Sequence, residues 1–213
     1  MATVELWSGV AVAMTSAEGA AQTITAITKA NPAVVTTSGT LPANGSIVYL
    51  SVVGMHQVDE RAFRVAGAAG STFQLQGLDS TTYGTFISGS FTVQTLGVTL
   101  TSASDVSASG GESEQIDVST IHDTNRQVMP GPTSAASYTF TCFWDPGDVG
   151  LAAMNVASDQ RKQLVFQMSW PSGRRVLFAG YVSATLLPVG SGQQPVTTTV
   201  TVMMAGRPTQ YVS

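Results

Sequence analysis

Cysteine, histidine and carboxylate side chains are where chemistry would first show, and 213 residues hold one Cys, two His and thirteen Asp or Glu. His122-Asp123 with Cys142 supplies the ingredients of a thiol nucleophile, an imidazole base and an orienting carboxylate. Cys142, however, alternates with Tyr138, Phe140 and Trp144 on one face of a predicted strand, the setting of a small core cysteine. His56 with Asp59 and Glu60 is an equally weak metal suggestion, because one imidazole and two carboxylates define no coordination geometry. No nucleophile elbow, phosphate loop or dinucleotide fingerprint occurs. Gly190-Ser191-Gly192 reads as a turn, and the sequon Asn44-Gly45-Ser46 as hairpin chemistry. The expectation is a non-enzyme with no catalytic residue, no cofactor and no metal.

Composition points the same way. Charged residues make up 10% of the chain, against roughly 25% in an average soluble domain. A surface that is neutral and rich in hydroxyl groups loses little when a subunit contact removes it from water. The formal charge of −4 argues against a basic nucleic-acid footprint. A single cysteine excludes an internal disulfide framework. The beginning carries Glu5 and no Lys or Arg before a short apolar run, unlike a secretion signal, and no stretch approaches the ~20 apolar residues of a membrane helix. A soluble product made in the cytoplasm, with no membrane insertion, is expected.

The elements that must position these residues read as short period-2 runs separated by turns, so the fold class is mainly β, a sandwich or barrel. Ser137 to Trp144 is one strand, with Thr139 and Thr141 on its polar face. Leu164, Phe166, Met168 and Trp170 repeat the alternation, and Pro171-Ser172-Gly173 turns into Arg175 to Leu187 as a hairpin. Pro195 to Ala205 places Val196, Thr198, Val200, Val202 and Met204 on one side; Thr197, Thr199 and Thr201 form a row on the other, suited to another sheet. One helix, about 146–158, breaks the pattern: Asp145 as N-cap, Pro146 in the first turn, Asp148 three residues after the cap. Val149, Ala152, Ala153 and Val156 are its predicted packing face, with Arg161-Lys162 at its negative end.

The first half contains a separate unit. From Thr23 to about Val93, four or five strands are punctuated by Asn31-Pro32, Asn44-Gly45 and Tyr83-Gly84, which predicts a small barrel with a tight hairpin at Asn44-Gly45. Asp59, Glu60 and Asp79 balance Lys29, Arg61 and Arg64, so this unit is neutral and the remainder carries the whole −4.

Ile116-Asp117-Val118-Ser119-Thr120-Ile121-His122-Asp123, then Met129-Pro130-Gly131-Pro132, Tyr138-Thr139-Phe140 and the helix after Asp145 resemble, in order and spacing, the tail tube proteins of long-tailed, non-contractile bacteriophages. Phe178-Ala179-Gly180-Tyr181-Val182, Leu187-Pro188-Val189-Gly190 and Val200-Thr201-Val202 resemble that family's last strands. The likeness covers about 94–213 and the first 20 residues or so. The segment 23–93 is similar to the small β-barrel of the first catalytic cysteine half-domain of ubiquitin-activating enzymes, through Ala30-Asn31-Pro32-Ala33-Val34-Val35 and Phe73-Gln74-Leu75-Gln76-Gly77. Ubiquitin chemistry does not transfer, because the segment has no cysteine. The expected domains are therefore a tube body, 1–22 with 94–213, and an inserted barrel, 23–93, that decorates it.

The resemblance implies a structural subunit of the virion tail: hexameric rings, closed by joined sheet edges and stacked around a lumen that conducts DNA into the host without binding it specifically. The implied partners are other copies of the chain, the tape measure, the tail terminator and the distal tail proteins. Within Thr120–Ala136, expected to be an unstructured loop, His122, Asp123, Arg126, Gln127, Val128 and Met129 are candidates for ring stacking. Glu112, Glu114 and Asp117 are candidate lumen acids that would repel phosphate, or else solvated outer carboxylates. Two alternatives stand. A carbohydrate-binding adhesin would need a concave aromatic platform, for which Trp7, Trp144 and Trp170 are candidates. Another virion part, a terminator or decoration protein, would share the β content.

Overall fold

The first strand, β1 (Ala11–Glu18), alternates Val12 and Met14 into a core, and every later element is arranged around the surfaces it and its partners bury. The computed structural model describes residues 4–212; Met1, Ala2 and Thr3 of the expected 1–22 segment lie outside the described residues, as does Ser213. The fold is mainly β. After β1 come β2 (Gln22–Ile27), β3 (Val34–Thr37), β4 (Ile47–Val53), β5 (Arg61–Ala69), β6 (Thr72–Leu75) and the long β7 (Ser88–Leu100). Then follow β8 (Ala103–Ser109), β9 (Ser113–Asp117), β10 (Val128–Thr133) and β11 (Ser137–Phe143). The helix α1 (Val149–Asp159) precedes β12 (Gln163–Ser169), β13 (Arg175–Ala184), β14 (Thr197–Met204) and β15 (Thr209–Tyr211).

Strands β2-β3-β6-β5-β4-β7 pair in that order, and β7 returns to β2, so six strands close into a barrel. Its interior is filled by side chains, as small barrels require: Val35, Val48, Leu50, Phe63, Phe73, Leu75 and Phe91 are all essentially inaccessible, with Phe73 and Phe91 edge to face at 5.1 Å. The remaining path runs β7-β1-β12-β13-β14-β11-β8. This curled sheet wraps a second core in which Phe166 stacks on Phe178 at 5.2 Å, with Met14, Phe140, Met154, Val200 and Val202 around them. Strand β7 belongs to both units. Ser88 to Gln94 pair with β4 and Gln94 to Leu100 with β1, so the position 94 expected as a boundary lies inside one continuous strand.

A third cluster fills the junction of the two units: Ile47 and Ala62 on the barrel meet Val165, Leu177, Ala179 and Tyr211 on the outer face of the curled sheet. Strands β12 and β13 are thus buried on both faces in part, which is why Leu164-Val165-Phe166 and Leu177-Phe178-Ala179 are unbroken apolar runs. Polar contacts close the rim. The Arg64 amide donates to the Tyr211 hydroxyl at 2.8 Å, and the Arg61 guanidinium donates to the Arg207 carbonyl and to Thr209 Oγ1 at 3.1 and 3.2 Å.

Three local expectations need correction. The helix begins at Val149, with Asp148 rather than Asp145 as its N-cap: Asp148 Oδ1 accepts from the Gly150 and Leu151 amides. The buried face is accordingly Gly150, Leu151, Met154 and Ala157, whereas Val149 and Val156 face solvent. Asp145 caps only its own turn, through Gly147. Asn44-Gly45 does use a left-handed glycine, φ 85°, but no hairpin results. The chain crosses from β3 to β4, which have different partners, and the turn is instead tied to β5 through Gly45 N–H to the Val65 carbonyl. Trp144 lies past the end of β11 and is 43% exposed rather than in the core row with Phe140 and Cys142.

Asp148 is 6% exposed and also accepts from the Ser102 amide and the Thr101 hydroxyl, so it joins helix, β7–β8 turn and core. Burial works to raise its pKa, but the donors outweigh burial and hold it below the usual carboxylate value. Asp148→Ala should therefore lower unfolding stability by about 1–2 kcal/mol in a denaturant titration. Because the folded value is depressed, the wild-type advantage over Asp148→Asn should be complete above a pH of about 4 and vanish as the pH falls through the folded value.

Candidate assembly interface

Strands β8 and β11 pair from Ala103–Cys142 to Ser109–Ser137, and the ribbon then continues beyond the sheet as an arm. Gly110 and Gly111 make the bend, at φ 80° and 83°, and a Cβ on Gly110 would run into the Ala135 carbonyl. Only glycine takes this conformation against so close a backbone. Past the bend, Gly111 N–H donates to the Ser134 carbonyl and Ser134 N–H to that of Glu112, and β9 then pairs with β10 from Ser113–Thr133 to Asp117–Val128.

The segment expected to be an unstructured loop, Thr120–Ala136, thus contains a strand. Pro130 and Pro132 are tolerated in it because in a two-stranded ribbon one edge of each strand faces solvent, and a proline there costs no ladder bond. Every residue of β9 and β10 except Gly131 is exposed. The tip is held by Val118 N–H on the Gln127 carbonyl, by Thr120 N–H on Asp123 Oδ2 at 2.7 Å, and by Arg126 on Asp117 at 3.0 Å. The Ser119 hydroxyl and amide, with Arg126, hold the Asp117 carboxyl below its usual range; the Thr120 amide and hydroxyl do the same for Asp123. The apolar side chains of the arm have no cover: Ile116, Val118, Val128 and Met129 are about half exposed and Ile121 is 96% exposed.

The structure brings His122, Asp123, Arg126, Gln127, Val128 and Met129 together at the tip of this arm and the start of β10. It also places Glu112, Glu114 and Asp117 there, outside the main sheet. Glu112 and Glu114 alternate with Gln115 and Asp117, so the three acids do not share one face of the ribbon. Among the described residues strand β8 pairs only with β11, which leaves a free sheet edge. The Thr row of β14 lies beside Thr139 of β11, with 3.5 Å between the Thr139 and Thr201 hydroxyls; Thr199 is exposed and Thr197 and Thr201 are half-buried. Gly-Gly between two period-2 runs is the sequence signal for the Gly110-Gly111 bend, whereas which strand of 94–213 presents the open edge has no local signal.

The chemical candidates separate. Cys142 is fully buried, and burial pushes its thiol up to about 11; His122 and Asp123 are on the exposed arm and have no part in its surroundings. His56, Asp59 and Glu60 line an open cleft of about 770 Å³ between the barrel and the root of the arm, where Asp59 accepts from the Val52 amide. Among the described residues no three His, Cys, Asp or Glu come close enough to hold a metal ion. Trp7 and Trp170 meet with ring centroids 5.6 Å apart, but the rings are tilted by 48° and Trp144 is elsewhere, so the three form no common platform. No helix among the described residues is long and apolar enough to cross a membrane.

The described residues thus present an uncovered arm, a free sheet edge and a neutral hydroxyl face. The family model described as "Phage tail tube protein, TTP" matches residues 51–213, and the chain belongs to that family, a class of structural virion proteins. A chain from the virion of a native gene transfer agent (GTA) particle is similar over 53% of this chain and 87% of its own length, at 18% identity and a TM-score of 0.41. No curated protein matches.

The buried thiol generates a direct check. Thiol reagents at neutral pH should leave Cys142 unmodified in the folded protein and react stoichiometrically in denaturant. Rapid labelling of the native chain would place Cys142 at a reactive site instead.

Proposed function

We propose that the chain forms stacked hexameric rings around a lumen through which DNA passes into the host. The observation that carries this reading is the arm: two strands with no packing partner in their own chain, since an isolated hairpin is marginal in water and gains its stability on contact. The free edge of β8 closes rings by pairing with a neighbour, which satisfies backbone groups that would otherwise template aggregation. The arm stacks one ring on the next, with His122, Asp123, Arg126, Gln127, Val128 and Met129 at its contact surface. Glu112 and Glu114 on one face of the ribbon and Asp117 on the other, all exposed at the root of the arm and along β9, repel phosphate in the lumen. The chain is made in the host cytoplasm, has no catalytic role, and meets the tape measure, tail terminator and distal tail proteins at the ends and in the bore of the tube.

Electron microscopy of the purified protein tests the reading: tubes, or six-fold rings of roughly 90 Å for domains of this size, support it, whereas persistent monomers that bind glycan favour an adhesin. Replacing Thr120–Ala136 by a short Gly-Ser linker removes β10 and the tip, and should leave a folded monomer, by circular dichroism, that no longer elongates. Tubes of normal length from that variant would remove the arm from stacking.

We propose in addition that 1–22 with 94–213 is the assembling body and 23–93 a decorating barrel, with β7 passing between them. Support comes from the separate cores of the two units and from the closeness of the flanks, since Gln22 pairs with Phe91 and Glu18 with Gln94. Joining the flanks after deletion of 23–93 should give a body that still polymerises. It should also be less soluble, because Val165, Leu177 and Ala179 lose their cover. A chain that cannot fold without 23–93 shifts the boundary.

A further inference from the structure

Trp7 and Trp170 line a pocket of about 400 Å³ whose wall also holds Glu5, Arg174, Arg175 and Gln210. Backbone contacts fix its sides. The Trp170 amide donates to the Arg174 carbonyl at 2.9 Å and the Gly173 amide to that of Trp170 at 3.0 Å, closing the β12–β13 turn. Strand β15 pairs with β13, setting Tyr211 opposite Arg175 and Gln210 opposite Val176. The two indoles meet at 5.6 Å and 48°, so they form an apolar corner, and Trp7 keeps 55% of its surface exposed. A volume of this size lies within the usual range of small-ligand pockets.

The polar groups narrow the ligand. Glu5 Oε1 lies 3.2 Å from Arg174 Nη1, yet it accepts no hydrogen bond among the described residues and is itself closed to water, while the side chain as a whole keeps 24% exposure. A carboxylate oxygen with no donor is a site that lacks its partner. Arg174 and Arg175 bring donors only, whereas Gln210 brings both kinds. A purely apolar ligand would leave the carboxylate and the guanidinium groups unanswered. A simple anion would suit the guanidinium groups but face Glu5. A ring of hydroxyl groups answers both, because each hydroxyl donates one hydrogen and accepts others, and the C–H face of a sugar ring lies against an indole.

We propose that this pocket binds a neutral saccharide. Trp7 is the stacking surface, the Glu5 carboxylate accepts from sugar hydroxyls, and Arg174, Arg175 and Gln210 donate to them. The pocket shares no residue with the arm or with the free edge of β8, so the proposal stands apart from the way in which subunits assemble.

Ligand-observed NMR and calorimetry on the full-length chain test it, with maltotriose, cellotriose and triacetylchitotriose as neutral probes and trigalacturonate as an acidic one. At least one neutral trisaccharide should bind. Trp7→Ala, at an exposed site, should keep the fold by circular dichroism and weaken that sugar about tenfold, the loss of one stacked ring face. Glu5→Gln should weaken it as well, whereas Trp144→Phe, whose indole is bonded to the Leu186 carbonyl elsewhere, should leave the affinity unchanged. Three results would each overturn the assignment: no neutral probe binds, binding survives both Trp7→Ala and Glu5→Gln undiminished, or trigalacturonate binds better than every neutral sugar. Tubes and monomers carry the same pocket, so glycan binding alone leaves the assembly reading to microscopy.

Discussion

Backbone hydrogen bonding along β7 is the constraint on which the rest of the structure depends. Its first half closes the barrel, between β4 and β2, and its second half lies beside β1 at the start of the curled sheet. A strand of this length in a single run makes the two cores mechanically continuous, since neither can rotate without breaking ladder bonds in the other. The register shifts between Met14 and Ala17 on β1 fall where the chain leaves one unit for the next, the place where a bulge supplies extra twist. Buried there, the Thr15 hydroxyl meets Gln94 Oε1 and the Val165 backbone, so the crossing is polar but hydrogen-bonded.

The junction built from Ile47, Ala62, Val165, Leu177, Ala179 and Tyr211 packs the six-stranded barrel against the outer face of the curled sheet. A sheet that faced only its own core would carry polar residues on its outer side; here β12 and β13 are apolar on both sides for the length that the barrel covers. Beyond that cover the same strands turn polar, with Tyr181 and Ser183 exposed and the Thr residues of β14 beside them. The boundary between covered and uncovered sheet is therefore written in side-chain polarity. The uncovered part is a neutral hydroxyl face, cheap to desolvate against a neighbour.

The arm obeys a different balance. Its strands satisfy each other's backbone on one edge and leave the other edges, and nearly all side chains, in water. Among the described residues only its own ladder, the Thr120–Asp123 bonds and the Arg126–Asp117 pair hold it, with its apolar side chains left uncovered. The Gly110-Gly111 bend separates this element from the rigid sheet at the cost of two left-handed residues.

The strand content, the hairpin at Pro171-Ser172-Gly173, the core position of Cys142 and the existence of one helix were legible in the sequence, because alternation, turn residues and capping are local. The helix face was misread because Asp145 and Asp148 are both competent caps, and only the donors from Thr101, Ser102 and the helix itself choose Asp148. Strand β10 has no local signal in a long polar segment, because its prolines are tolerated only where the strand has an unpaired edge, which pairing decides. Pairing partners, the sharing of β7, the burial of β12 and β13 on two faces, and the meeting of Trp7 with Trp170 were decided by tertiary structure alone. The physical reason is that a strand's own residues specify which faces are apolar, but not which of the other strands will cover them.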